Sequence, residues 1–219
     1  MNLPSDYRFR LAGTALFAVA FGYVEASVVV YLRALYYPEG FHLPLKMLGS
    51  QHLDVELGRE AATIVMLAAF AAIAGSSRWQ RLGYFMVGFG VWDIGFYCWL
   101  RVILQWPRSL TDWDILFLLP LPWIGPVIAP VLVSVALIIA GGVIVHRTGR
   151  GVPFRPGALS CLSGALGSLL LMYSFMHDTA ATLEGRLPQP YQYGDLCASL
   201  IFYAAGLYFA LRRNPPPVS

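Results

Sequence analysis

"FGYVEASVVVYLR", residues 21–33, lies in the first long apolar run of the chain. Extended back to Arg10 and on to Tyr36, the run exceeds the roughly 20 residues a helix needs to cross a bilayer core. Two residues break the pattern: Glu25 near the middle and Arg33 eight positions later. A charged side chain in hydrocarbon is costly and turns toward the interior of a bundle, toward a partner or water. The stretch therefore predicts one helix of a bundle rather than a lone anchor.

Composition extends this to the whole chain. Of 219 residues, 58% are hydrophobic and 12% charged, and the mean hydropathy is +0.62. Soluble domains carry about 25% charged residues, so the bilayer must be the solvent for most of the surface. A formal charge of +3 spread along the chain excludes a nucleic-acid-binding class. Cys98, Cys161 and Cys197 have neither zinc-site nor disulfide-framework spacing, although Cys98 and Cys197 fall at similar depth and allow one pair. The first run is longer than the ~7–15-residue core of a signal peptide, contains Glu25 and lacks a small-x-small cleavage site, so it is read as a retained helix.

Six stretches are long and apolar enough to span: Arg10–Tyr36, Gly58–Ser77, Arg81–Gln105, Gly125–Val145, Gly157–Met176 and Tyr193–Leu211. The expected fold is an all-α polytopic bundle, a single integral membrane domain over 1–219. Between the third and fourth spans, "LTDWDILFLLPLPWIGPVIAP" carries Pro120, Pro122, Pro126 and Pro130. Proline lacks the amide donor and clashes with the preceding turn, so Asp114–Leu119 is read as a short interfacial or re-entrant segment.

Short basic loops mark the cytoplasmic side. A cytoplasmic N-terminus places Arg8, Arg10, Arg78, Arg81, Arg147, Arg150, Arg155, Arg212 and Arg213 inside, nine of the fifteen basic residues. Both termini are then cytoplasmic, in a membrane whose short loops and single lysine fit a bacterial inner membrane. Of the twelve acidic residues only Asp6 is inside; the other eleven fall in outer loops, Glu39 among them, or in the outer part of spans. His42, His52 and His177 are outside as well. The titratable chemistry faces one compartment.

Phe17–Arg33 and Phe85–Arg101 align without a gap at an offset of 68, with six identities. Glu25 falls on Asp93 and Arg33 on Arg101. This predicts a parallel internal repeat of helical hairpins, about 10–78 and 79–146, with a third hairpin at about 156–212. In each copy acid and arginine are about 12 Å apart along one helix. Across a pseudo-twofold axis, Glu25 meets Arg101 and Asp93 meets Arg33 as structural ion pairs, or the two carboxylates form a site at the axis.

The candidate catalytic group is Glu25, Asp93, Tyr97, Arg33 and Arg101, with Tyr97 one turn after Asp93 on the same face. Carboxylates with histidine suit a divalent metal ion such as Zn, Mn or Fe, which gives a candidate ligand set of Glu25, Glu60, Asp93, Asp114 and His177. His52, Glu56 and Glu60 share a face if the second helix begins early, though no HExxH or ExxH spacing occurs. Asp114 also suits a helix N-cap. Ser160, Gly164 and Ser168 form a small-residue row that allows close helix packing. Three functions stay open: an enzyme acting on a lipid-like substrate with metal or acid–base chemistry, a cation or proton-coupled transporter, and a non-catalytic assembly or sensor protein.

Overall fold

The computed structural model describes residues 6–37 and 50–213; Glu39 and His42, assigned above to an outer loop, lie outside them. Six long helices are apolar enough to cross a membrane: α1 (Asp6–Tyr36), α2 (Ser50–Ala74), α3 (Arg78–Leu104), α4 (Ile128–Gly149), α5 (Ala158–Met176) and α7 (Tyr193–Arg213). A short α6 (Thr179–Leu183) follows α5, and two strands, β1 (Trp113–Phe117) and β2 (Trp123–Pro126), separate α3 from α4. The chain is a multi-pass membrane protein built as a helical bundle. Apolar side chains point outward along the helices: Leu16, Ile73 and Leu169 are 73%, 85% and 67% exposed. In water such a surface would aggregate; in a bilayer it is the solvated face.

α3 is the central helix, flanked by α1, α2 and α4. Its seam with α4 brings backbones together, since a Cβ on Gly90 would meet the Ser134 carbonyl at 2.5 Å. Dispersion between close backbones is the main attraction left to helices in lipid. The small-residue row of α5 does the same against α7, where Ser160 donates to the Gly206 carbonyl at 2.6 Å and Ser168 meets the Tyr203 hydroxyl at 3.0 Å. At the end where α1 begins and α7 finishes, arginines cap α2. Its last carbonyls lack intrahelical donors, and Arg10 binds the Ala74 carbonyl at 2.9 Å while Arg81 binds that of Gly75 at 3.0 Å.

Residues 113–126, which include the Asp114–Leu119 stretch read as a short interfacial or re-entrant segment, form an antiparallel hairpin that pairs Trp113 with Pro126 and Ile115 with Ile124. β-branched and aromatic residues between prolines favour this extended form. An isolated hairpin is marginal, and non-helical backbone at membrane depth survives only inside protein. Here the bundle surrounds it, and Ile124 is 2% exposed. The second helix starts earlier than Gly58, which puts Glu56 and Glu60 inside a helix.

The predicted repeat is not visible in the packing. Gly22 and Gly90 align in sequence, yet Gly22 faces Trp92 of α3 and Gly90 faces Ser134 of α4. α3 and α4 share a long seam while α1 and α2 barely touch. The three cysteines are free and exposed, so Cys98 and Cys197 do not pair.

Candidate functional site

Buried carboxylates gather at the hairpin end of the bundle, in three places. Between α1 and α2, Glu25 accepts from Thr63 at 2.7 Å and pairs with Arg59, which also holds Glu56 at 2.8 Å. One guanidinium thus serves two carboxylates, with Glu25 4% and Glu56 5% exposed. Glu60, one turn beyond Glu56, faces the hairpin. Its carboxylate accepts the Leu118 N–H at 2.8 and 3.1 Å and interacts with the Leu119 N–H. The hairpin tip turns where no strand partner is available, and Glu60 supplies the acceptor those amides require.

The second place lies under the hairpin. Asp114 projects from β1 into the bundle, where Arg33 of α1 donates to it at 3.3 Å and the Tyr97 hydroxyl of α3 also at 3.3 Å. The Arg33 guanidinium stacks 3.6 Å from the ring centre of Trp106, a cation–π contact. Burial pushes the Asp114 carboxyl up to about 6, against the pull of the Arg33 charge and the hydrogen bonds from Tyr97 and the Ile115 amide. Asp112, two residues earlier, only shapes the turn by accepting from the Arg108 and Ser109 amides.

The third is a groove of about 570 Å³ between α3, α4, α5 and α7, closed at one end by the hairpin residues Leu116, Phe117 and Trp123. From Trp79 to Asp93 along α3 it extends roughly 20 Å. Its wall is almost wholly apolar; the single charged residue among those lining it is Asp93. Asp93 is 9% exposed and accepts from Ser134 at 2.8 Å. It lies within electrostatic reach of Asp114 and Tyr97. Trp123, also on the groove, has a buried indole N–H with no acceptor among the described residues.

The sequence-derived groupings are therefore partly re-sorted. Glu25, Glu60, Asp93, Asp114, Arg33 and Tyr97 share one end of the bundle. The crosswise ion pairs do not form: Glu25 takes Arg59 instead of Arg101, and Arg33 takes Asp114 instead of Asp93. Arg101 turns to the carbonyls of Gln105 and Pro107 at 2.8 and 3.0 Å and closes the end of α3. Asp114 is a buried strand residue rather than an N-cap. Among the described residues no three of His, Cys, Asp and Glu converge as metal ligands, so the set Glu25, Glu60, Asp93, Asp114 and His177 does not assemble. Backbone amides, arginines and hydroxyls occupy the carboxylates. His177 is at the α5 end, its Nδ1 3.3 Å from the Ser174 carbonyl and its Nε2 buried without a partner among the described residues. His52 is exposed and edges onto Tyr36. Arg59, Thr63, Ser134 and Trp106, none of them in the candidate sets, complete the site. Ser134, a lone hydroxyl in the apolar run of α4, was the one with a readable signal. Comparison with known protein families, curated proteins and solved structures finds no match.

Proposed function

We propose that this chain, in a bacterial inner membrane with both termini cytoplasmic, is an intramembrane enzyme that holds a lipid-like substrate by its chain in the groove. Asp93 performs acid–base work at the polar end of that substrate. One observation carries the reading: a lone carboxylate in the wall of a long apolar groove, at the end where the polar network lies. An apolar wall binds a chain without discriminating along it, while one buried polar group fixes where the reacting atoms stop. Tyr97, Asp114 and Arg33 continue from Asp93 toward the outer face as hydrogen-bonding groups, a route by which a proton reaches the groove from that side. The outward placement of eleven of the twelve acidic residues fits the same direction. The chemistry assigned to the residues needs no metal, in keeping with a donor set already engaged.

A cation or proton carrier needs polar groups in the other half as well. There the groove wall is Trp79, Leu82, Met86, Ile144 and Phe154, which favours the enzyme reading.

The test is mass spectrometry of apolar molecules co-purified with the protein in nanodiscs. A species enriched over bulk lipid is expected with the wild type, absent from Ala140→Trp, whose indole fills the groove. Asp93→Asn is expected to retain it in unconverted form. Identical profiles for wild type and Ala140→Trp would refute the reading.

A further inference from the structure

We infer that the groove selects a lipid whose head is uncharged and donates a hydrogen bond, a long-chain alcohol, over the same chain bearing a phosphate. This deepens the substrate-groove reading of Asp93 and rests on it. Among the residues lining the groove there is no lysine, arginine or histidine. The polar groups at its hairpin end are the Asp93 carboxylate, the Ser134 hydroxyl bound to it, and the Trp123 indole.

A carboxylate accepts hydrogen bonds and repels anions, and in a low-dielectric wall both effects are stronger than in water. An alcohol donates its O–H to the carboxylate and carries no charge for that wall to repel. A phosphate offers charge of the same sign and finds no cation on the groove. The arginines that would attract it belong elsewhere. Arg33 is turned to Asp114 and Trp106. Arg59 is held between Glu25 and Glu56. Arg78 lies at the opposite end, roughly 20 Å along α3, and Arg213 lies at that end over Gly157.

Trp79 and Trp123 line the groove, so bromine-labelled ligands give a direct readout by quenching tryptophan fluorescence. Wild type in nanodiscs is titrated at pH 8.5 with brominated hexadecanol and with brominated hexadecyl phosphate. Ala140→Phe, which fills the groove without adding a fluorophore, serves as the blocked reference that subtracts partition into the bilayer. The alcohol is expected to bind at least about tenfold more tightly than the phosphate. In Asp93→Asn the gap is expected to shrink to about threefold, chiefly because the phosphate gains. Asp93→Glu, which restores a carboxylate at that position, is expected to recover the preference, and so separates loss of the charge from a folding defect in Asp93→Asn. Equal or tighter binding of the phosphate by the wild type overturns the inference. If Arg213→Gln then abolishes that binding, the head lies at the other end and the groove reading survives without this ligand class. If neither ligand quenches the wild type above the Ala140→Phe reference, the groove reading itself fails.

Discussion

Arg59 is the one cation between two buried carboxylates, Glu25 and Glu56, and this arithmetic ranks the substitutions around it. Glu25→Gln keeps the hydrogen bond with Thr63 and leaves one acid for one guanidinium; its cost is about 1 kcal/mol. Arg59→Met strands two carboxylates in the bundle and costs about 3–5 kcal/mol. Thermal unfolding in a mild detergent checks the order, and an equal loss for both would refute it. Asp114 makes a prediction about pH. Burial raises its carboxyl to about 6, so the folded protein binds that proton more tightly than the unfolded chain. Stability therefore falls as pH rises from about 4 to about 6 and is level above. The ion pair with Arg33 follows the opposite course, forming as Asp114 ionises. Because Arg33 stacks on Trp106, tryptophan fluorescence should show a transition centred near pH 6 that is absent in Asp114→Asn. A flat wild-type profile would remove Asp114 from the relay.

The hairpin is the element on which the fold and the site depend together. It is tied to α2 by Glu60, to α1 and α3 by Asp114, and to the α5–α6 corner by Thr179, which donates to the Pro122 carbonyl at 2.8 Å. Trp123 also stacks on Phe175 with ring centres 5.7 Å apart. Removing the acceptor in Glu60→Leu leaves the Leu118 amide buried without a partner, a loss of about 1–3 kcal/mol. Hydrogen exchange should report it locally: the Leu118 and Leu119 amides, slow in the wild type, become fast while those of α3 stay protected. A change spread evenly over the bundle would mean that Glu60 supports something larger than the tip. The hairpin was also the least legible element. Pro120, Pro122 and Pro126 ruled out a regular helix, but proline marks only where helix fails. The pairing of Trp113 with Pro126 arises from packing among α1, α2, α3 and α5, which local pattern does not encode. The helices were legible because lipid imposes a length and a composition that each span must meet alone.

At the scale of the molecule, the sequence reading separated one polar end from an apolar remainder but not which charges meet. Depth follows from counting along a helix, so Glu25, Glu60, Asp93 and Asp114 could be placed toward one side. Partnership depends on rotation and on neighbouring helices. For that reason the in-register arginines suggested the wrong pairs, and Arg59, adjacent to Glu60 yet on another face, was not linked to Glu25. The hairpin also bears on how the protein is made. Chains enter a membrane in order of synthesis, N-terminal segments first. When α1, α2 and α3 have emerged, Glu60, Arg33 and Tyr97 are in place but lack the Leu118 amide and the Asp114 carboxylate. Three apolar helices thus wait for a segment that is not helical, and until it arrives they carry unmatched polar groups. A chain ended after Leu104 should be cleared by membrane proteases far faster than one ended after Gly149, although the two differ by only one membrane-crossing helix. Pulse-chase lifetimes of the two truncations would measure this, and equal lifetimes would show that the first three helices mature unaided.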